Sequence, residues 1–397
     1  MKFAELTGSG RLREQACVVG VGHTEYSKDS GRSELRLACE SIRAAMDDAG
    51  LVAADVDGIV KFTGDNNDAV SIAKNLGLPR LRFFAEVGYG GGGGPVGTVL
   101  VAAMAVATGQ ATAVAAFRAM NERSGRGTPR YGHAASGEGA SGPAAYHAPY
   151  GLFTPAQMAA LAARRHMHLY GTRSVHFGEI ALTIRRHANQ NPAAMMYGRP
   201  MTLDDHQASR MIAAPLRLFD CCLETDGGAA LIVTTPDRAR HLRQPPVFIA
   251  SGGMGAGPWN DRELVKNVEA AETESTVIAN RIFDDAGVRH QEIDVIFLYD
   301  HFTPLVLMAL EEFGFCERGE SKDVAADGIL RWPDGSMPLN TSGGNLSEGY
   351  LHGMQNNVEA VRQLRGQARC QVEGARYAFV ASGNAAPTSA MILRADR

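Results

Sequence analysis

One segment of this sequence occurs twice. "MDDAGLVAADVDGIV" at 46–60 matches "FDDAGVRHQEIDVIF" at 283–297 with a constant offset of 237 residues. Each copy follows a helical pattern that ends at a glycine, the residue favoured just after a helix. Each then leads into a short apolar run that is typical of a buried strand. A duplication of this kind constrains the chain to two similar α/β units.

The correspondence continues beyond the repeated segment, because a helix and a strand after it also recur. The pairs are 96–109 with 354–366 for the helix and 112–120 with 375–383 for the strand. Each half is therefore predicted as strand, helix, strand, Gly-rich turn, helix and strand, with mixed sheets covered by helices. We predict an α/β fold with an N-terminal half over 1–245 and a C-terminal half over 246–397.

The stretch from about 122 to 215 breaks this pattern within the first half. It starts with a polar, Gly-rich run and continues with helical stretches such as 155–171. We expect a loop-domain insertion that folds over the site. The alternative for 122–145 is a partly disordered surface loop.

Composition excludes several classes of function. With 45% hydrophobic and 21% charged residues, the chain fits a soluble globular protein, and its net charge of −4 gives no reason to expect nucleic acid. No secretory leader pattern and no long apolar run occur, so we expect a cytoplasmic protein without a membrane span. The six cysteines lack metal-binding spacing and are predicted as buried free thiols. His166 and His168 would point to different sides of a helix, so no metal site is predicted.

Five motifs in chain order resemble the thiolase superfamily, in its sterol-carrier-type branch. They are the opening strand and turn at 18–28, the segment closing the first half at 215–235, "YDHFTP" at 299–304, "SGGNLSEGYLHG" at 342–353 and "FVASGNAAP" at 379–387. Each motif alone is a weak signal, whereas five in order with a duplication are specific. The resemblance implies a thiolase-like fold, with two duplicated halves in a five-layer αβαβα arrangement.

The catalytic positions of thiolases are all changed in this sequence. The turn "GGGGGP" at 90–95, where thiolases carry the nucleophilic cysteine, holds only glycine and proline. The second thiolase cysteine falls at about Ala381 or Ser382. The histidine of the Gly-His-Pro motif aligns with Tyr350, and the histidine or asparagine of the other box aligns with Tyr299. No thiol can form an acyl-enzyme here, which excludes the covalent chemistry of thiolases.

This pattern resembles the bacterial steroid side-chain-cleaving aldolases, thiolase-like proteins with paired tyrosines. The resemblance implies retro-aldol cleavage of a β-hydroxyacyl-CoA, in which a 17-hydroxy steroid CoA ester gives a 17-ketosteroid and propionyl-CoA. Tyr299 and Tyr350 would be the catalytic acid and base. His301, His352 and Gly383 would support them, since backbone amides at Gly-rich turns can stabilise enolate charge. No cofactor is expected beyond the CoA of the substrate.

A tyrosine is a poor base at neutral pH. With an ordinary pKa of about 10, roughly one phenol in a thousand is ionised at pH 7, a penalty of about 4 kcal/mol. The site must therefore lower the pKa of one phenol or pass its proton to a neighbour. His301 and His352, each two residues beyond a tyrosine, are candidate neighbours. Alternatively, these histidines merely hydrogen-bond the backbone.

Two other functions stay open at this point. The chain could be a non-catalytic thiolase-fold protein that binds lipid or acyl-CoA or scaffolds a partner, or a decarboxylase or hydrolase of acyl-CoA. Replacement of two catalytic positions by the same ionisable residue favours an enzyme. The resemblance also implies a homodimer through an edge strand of the first half, and a separate small OB-fold, zinc-ribbon subunit that binds acyl-CoA.

Overall fold

A computed structural model describes residues 12–88, 91–125, 144–257, 268–270, 273–383 and 388–396. The polar run predicted at the start of the insertion lies largely outside the described residues. The strands are β1 (Cys17–His23), β2 (Gly58–Phe62), β3 (Phe83–Val87), β4 (Ala113–Asn121), β5 (Met211–Ala213), β6 (Leu216–Arg217), β7 (Asp226–Thr234), β8 (Val247–Gly255), β9 (Val295–Phe297), β10 (Tyr377–Ser382) and β11 (Thr388–Ala395). The helices are α1 (Glu34–Ala49), α2 (Ala69–Leu76), α3 (Gly94–Ala107), α4 (Ala144–His147), α5 (Pro155–Tyr170), α6 (Ser174–Ala188), α7 (Leu203–Ala208), α8 (Pro236–Ala239), α9 (Thr276–Ala286), α10 (Thr303–Glu312), α11 (Ser321–Ala326) and α12 (Met354–Arg365).

The order of the strands shows the duplication directly. Among the described residues, nine strands form one mixed sheet in the order β3-β2-β4-β7-β1-β8-β11-β10-β9. Strands β2, β4, β7 and β1 of the first half have the mirrored counterparts β9, β10, β11 and β8 in the second. In both halves the first pair is parallel and the next two pairs are antiparallel. The halves meet where Cys17 and Val18 pair with Phe248 and Val247.

The repeated segment adopts the same structure in both copies. Helices α1 and α9 end at Gly50 and Gly287, whose φ angles of 74° and 64° lie in the left-handed region that glycine tolerates. This confirms the two predicted C-terminal glycines. Single 3₁₀ turns follow at 53–55 and 290–292, at the same offset of 237, and lead into β2 and β9.

The last aspartate of each copy also has the same structural task. Asp57 Oδ1 accepts hydrogen bonds from the backbone N–H groups of 112–113, at 2.8 and 3.1 Å, where β4 begins. Asp294 Oδ2 accepts from those of 376–377, at 2.7 and 2.9 Å, where β10 begins. Backbone groups at a strand's start need such partners when they are not paired in the sheet. The repeated aspartate therefore belongs to the fold rather than to the chemistry.

The helices form layers around the two half-sheets. Helices α3 and α12 each pack against strands of both halves and form the central layer. Helix α1 covers β1, β4 and β7 on one outside face, and α9 covers β8 and β11 on the other. The residues of α3 are apolar nearly all round, as a helix buried on every side requires. The chain thus has the five-layer αβαβα arrangement.

Two details of the fold differ from the prediction. Helix α2 and strand β3 lie between β2 and the Gly-rich turn, where the sequence predicts a direct connection. Three cysteines, Cys17, Cys39 and Cys370, are buried, but Cys221, Cys222 and Cys316 are half-buried because they lie near the edges of the core. In the described part of the chain, no helix has both the length and the apolar composition needed to cross a membrane.

Close packing of α1 on β1 generates a stability prediction. A Cβ atom on Gly20 would overlap the backbone carbonyl oxygen of Ala45 on α1. We expect Gly20→Ala to lower the free energy of unfolding by about 1–3 kcal/mol, as overpacking does in cores. Denaturant unfolding measures this change. Gly253→Ala on β8 is the matched control, because its Cβ would lie 3.4 Å from Ile278 on α9, an ordinary contact. Equal losses in the two variants would contradict the packing argument.

Candidate active site

The two predicted tyrosines meet in the core between the halves. Tyr299 lies two residues after β9, and Tyr350 follows the Gly-rich turn at 342–349. Their hydroxyl oxygens are 2.7 Å apart and form a hydrogen bond. The side chains are only 3% and 5% exposed. The sequence predicts convergence of these hydroxyls, and the structure places them in direct contact.

Asp300 fixes the segment that carries Tyr299 to the Gly-rich turn. Its Oδ1 accepts hydrogen bonds from the backbone and side-chain N–H groups of Asn345, both at 2.9 Å, and its Oδ2 accepts from the Leu346 N–H at 3.1 Å. A Cβ atom on Gly344 would overlap the Asp300 carboxylate, so this approach requires glycine. Burial raises the pKa of Asp300 to about 6, although these hydrogen bonds oppose the shift.

The segment before β7 fixes both tyrosine motifs from the other side. The Tyr350 N–H donates to Thr225 Oγ1 at 2.8 Å, and the Thr225 hydroxyl donates back to the Tyr350 carbonyl at 3.1 Å. The Cys222 N–H donates to the His301 carbonyl at 2.9 Å. The motif at 215–235 therefore contributes main-chain anchors for the tyrosine pair.

The glycines of two turns leave room for the Tyr299 ring. A Cβ atom on Gly92, just before α3, would overlap Cε1 and Cζ of Tyr299. The Gly383 N–H donates to the Gly92 carbonyl at 3.0 Å, so the two Gly-rich turns touch. Hence a side chain at Gly92 and the ring of Tyr299 exclude each other. The Tyr299 ring therefore occupies the space beside the turn at 90–95, where the thiolase cysteine is expected from the resemblance.

His301 stacks on the tyrosine that precedes it. The ring centroids of His301 and Tyr299 are 4.2 Å apart, with an angle of 28° between the planes. The sequence names His301 as a candidate neighbour of the tyrosine, and the two rings are in contact. The His301 Nδ1 atom lies 3.4 Å from the Tyr299 carbonyl oxygen, which is a long hydrogen bond.

His352 lies beside the second tyrosine and is held as a neutral ring. Its ring centroid is 5.1 Å from that of Tyr350 and 5.3 Å from that of Phe62. Burial holds the pKa of His352 well below its ordinary value, and the charges of Arg118 and His301 lower it further. Its φ of 54° is a left-handed conformation that is uncommon outside glycine. Such backbone strain is often found at functional sites.

Sequence reasoning misses three charged residues close to this site. Arg118 is fully buried and pairs with Asp65 at 3.2 Å. Glu122 is 1% exposed, and burial together with the negative charge of Glu224 raises its pKa to about 9, against the opposing effect of Arg118. A signal is present, because an arginine within the apolar strand "TAVAAFRAM" needs a buried partner.

The predicted absence of a metal site rests on His166 and His168. His166 is buried and hydrogen-bonds Thr172 at 2.9 Å and Glu311 at 3.1 Å. Among the residues that the structure describes, no group of three or more His, Cys, Asp or Glu side chains is arranged to hold a metal ion. His166 therefore has a structural hydrogen-bonding role between α5 and α10.

A duplicated five-layer fold with a buried tyrosine pair beside two Gly-rich turns defines a thiolase-like protein. Comparisons with known proteins agree. Residues 259–394 match the family described as Thiolase C-terminal domain-like. The chain is 48% identical over 391 residues to the steroid side-chain-cleaving aldolase of Thermomonospora curvata, which covers 96% of this chain and 98% of that protein. It therefore belongs to the sterol-carrier-type, thiolase-like branch of the thiolase superfamily, which includes steroid side-chain-cleaving aldolases.

Two further comparisons cover nearly the whole chain. The 17-hydroxy-3-oxo-4-pregnene-20-carboxyl-CoA lyase of Mycobacterium tuberculosis is 45% identical over 393 residues, covering 96% of this chain and 100% of that protein. A solved structure described as "Ltp2-ChsH2(DUF35) aldolase" has a TM-score of 0.90 and 47% identity, covering 97% of this chain and 99% of that one. The likeness thus extends over both halves.

The buried carboxyl groups generate a prediction on pH and stability. Burial raises the pKa of Glu348 to about 7, of Glu359 to about 8 and of Glu122 to about 9. An unfolded glutamate titrates near pH ~4.3, so the folded state binds more protons than the unfolded state, and this stability is lost as pH rises through the folded pKa values. The lowered pKa values of His23 and His187, about 4, act in the opposite direction only below pH ~6.5.

We therefore expect the melting temperature to fall steadily between about pH 6.5 and 9. Thermal unfolding in matched buffers measures it. Glu122→Gln keeps the shape of the side chain and removes its titration, so the fall should become shallower at the alkaline end. A melting temperature that rises across this range would contradict the prediction.

Proposed function

We propose that this protein is an aldolase that cleaves a β-hydroxyacyl-CoA in steroid side-chain degradation. The substrate would be the CoA ester of a 17-hydroxy steroid, and the products a 17-ketosteroid and propionyl-CoA. The observation that carries the proposal is the buried hydroxyl pair of Tyr299 and Tyr350, 2.7 Å apart. The names of the two relatives, an aldolase and a CoA lyase, support the same reaction class.

The proposed reaction needs two proton transfers and no covalent intermediate. One tyrosine, ionised to its phenolate, acts as the base and takes the proton of the substrate's β-hydroxyl, whose oxygen becomes the ketone oxygen. The Cα–Cβ bond breaks, and its electron pair forms the thioester enolate. The other phenol, as the acid, protonates Cα. After the reaction the base is a neutral phenol and the acid is a phenolate. Because the two oxygens are hydrogen-bonded, the proton taken from the β-hydroxyl can pass from the base to the acid and restore the starting state.

Several features of the site offset the cost of ionising a phenol. The neighbouring hydroxyl donates a hydrogen bond to the phenolate, and such a bond favours the charged form. Helices α10 and α12 begin four residues after Tyr299 and Tyr350, and α3 begins two residues after Gly92, which contacts the Tyr299 ring. A helix N-terminus stabilises negative charge by about 0.3–1 kcal/mol, and by up to ~2 kcal/mol when partly buried. The start of α12 lies close to the Tyr299 ring, since a Cβ atom on Gly353, the residue before this helix, would lie 3.1 Å from that ring.

The neutral state of His352 also fits this division of roles. An imidazole whose pKa is held well below its ordinary value takes up no proton at neutral pH. It can still donate a hydrogen bond to an oxygen that develops negative charge. Proton transfer is then left to the phenols, and His301 and His352 act as their supporting neighbours. The roles of Tyr299, Tyr350 and the supporting residues are part of this proposal.

Partners and location belong to the proposal too. Strand β3 is the outermost strand of the first half-sheet, and its Phe84 is 69% exposed. An exposed apolar edge strand is a natural pairing surface, which supports a homodimer formed through β3.

The description of the similar structure names ChsH2(DUF35), which supports a separate OB-fold subunit for acyl-CoA. We further propose a cytoplasmic location and no cofactor beyond the CoA of the substrate.

The first test measures cleavage by the tyrosine variants. Tyr299→Phe and Tyr350→Phe remove a single oxygen and keep the ring, so we expect each to reduce ketone release by at least ~100-fold while the melting temperature changes little. The assay follows ketone and propionyl-CoA from the 17-hydroxy steroid CoA ester, with and without the OB-fold subunit. Tyr377→Phe, at the opposite end of β10 from the site, is the matched control and should keep wild-type turnover.

Each other outcome favours a different function. Near-wild-type cleavage by either site variant would make that tyrosine structural. Release of CO₂ or free CoA in place of a ketone would favour the decarboxylase or hydrolase alternative. Tight substrate binding without any product, in the presence of the subunit, would favour a non-catalytic binding or scaffold protein.

A second test addresses the homodimer. We expect light scattering to give the mass of two chains for the protein purified without its partner. Phe84→Lys should shift this mass toward one chain, because a charge on an edge strand opposes pairing. Val52→Lys changes another exposed apolar residue of the first half and should leave the dimer intact. A one-chain mass for the unchanged protein would refute the dimer.

A further inference from the structure

Arg118 lies on β4 between a carboxylate and the His352 ring. Its Nη1 atom lies 3.2 Å from Asp65 Oδ2 and donates to the Ala119 carbonyl at 2.8 Å. Its Nε–H points the other way and donates to His352 Nδ1 at 3.3 Å. The guanidinium carbon also lies 5.7 Å from the centre of the Phe62 ring. This buried side chain thus connects Asp65 directly to a ring of the tyrosine site.

The chemistry of arginine determines the tautomer of His352. A guanidinium group carries five N–H donors, has no acceptor and stays protonated in proteins. The atom that receives its hydrogen bond, His352 Nδ1, must therefore present a lone pair. A neutral imidazole with an unprotonated Nδ1 carries its proton on Nε2. The contact with Arg118 makes His352 a hydrogen-bond donor at Nε2 and leaves it no basic nitrogen for the reaction.

Asp65 holds Arg118 in place through a saturated set of hydrogen bonds. Its Oδ2 also accepts the Ala119 N–H at 2.9 Å, and its Oδ1 accepts the backbone and side-chain N–H groups of Asn67 at 2.9 and 2.7 Å. Three N–H donors and a guanidinium therefore compensate this buried carboxylate. A carboxylate held this firmly fixes the position of the guanidinium, and the guanidinium fixes the ring.

We propose that Arg118 and Asp65 are positioning residues that hold His352 as an Nε2-protonated hydrogen-bond donor beside the tyrosine pair. The proposal rests on the proposed function where it assigns the donor a use, the stabilisation of negative charge on oxygen during cleavage. Its structural part, the tautomer, is independent of any activity. It also explains why the His352 imidazole cannot act as the base in place of a phenol.

The kinetic test is a double-mutant cycle. Arg118→Lys keeps a positive charge beside Asp65 but loses the planar group that reaches His352, so we expect kcat to fall about tenfold or more with little change in KM. In the His352→Gln background the same substitution should cause no further fall, because Arg118 acts through His352. An equal fall of kcat in both backgrounds would overturn the proposal.

A matched control separates positioning from a general loss of packing. Arg365 on α12 is another arginine with a buried side chain, and its Nη1 lies 2.9 Å from Asp48 on α1. We expect Arg365→Lys to lower the melting temperature about as much as Arg118→Lys while kcat stays unchanged. A matching fall of kcat in Arg365→Lys would mean that stability alone accounts for the effect, which would also overturn the proposal.

The tautomer can be read without any substrate. In protein labelled with ¹⁵N-histidine, the two ring nitrogens of His352 should show an unprotonated Nδ1 and a protonated Nε2, with the signals assigned by their loss in His352→Gln. In Arg118→Lys this pattern should weaken or mix with the other tautomer. A protonated Nδ1 in the unchanged protein would refute the inference. The expected pattern in a protein that cleaves no steroid ester would refute the proposed function and support the tautomer assignment.

Discussion

A side chain at position 92 and the ring of Tyr299 cannot occupy the same space, and the site depends on this exclusion. In the related thiolases the first Gly-rich turn carries a cysteine, whereas here a Cβ atom on Gly92 alone would overlap the phenol. A cysteine at position 92 and the Tyr299 ring would therefore exclude each other. The Tyr299 ring fills the space beside Gly92, and its hydroxyl lies 2.7 Å from that of Tyr350.

The charges around the pair favour a neutral imidazole at His352. Burial penalises every ionised group here, which is why Asp300 needs three N–H donors and Asp65 needs a guanidinium. Arg118 lies on the far side of His352 and lowers its affinity for protons. A positive group placed in this way makes the imidazole a worse base and favours negative charge nearby. The buried ion pair thus has an effect on acid–base chemistry that its contribution to stability alone would not reveal.

The sequence predicts most of the fold because the duplication and the apolar periodicity are local signals. Helix α3, strand β4 and the two C-terminal glycines follow from patterns within about fifteen residues. Strand β3 escapes prediction because its residues, FFAEV, do not alternate between apolar and polar although their exposure does: the exposed Phe84 removes the signal. Tyr299 and Tyr350 follow from their positions in the motifs. The role of Arg118 cannot be predicted from such a motif, because its partner Asp65 lies 53 residues earlier and no periodicity connects the two residues.

The duplication also explains why the site is one-sided. At the offset of 237 the residue equivalent to Tyr299 is Phe62, at the end of β2. Both rings pack on the turn that begins α3, since a Cβ atom on Gly94 would overlap Phe62 as one on Gly92 would overlap Tyr299. The two halves therefore present equivalent aromatic rings to one turn, and only the second-half ring carries a hydroxyl. One copy supplies the tyrosine of the proposed reaction, and the other supplies an aromatic ring that packs against His352 and Arg118.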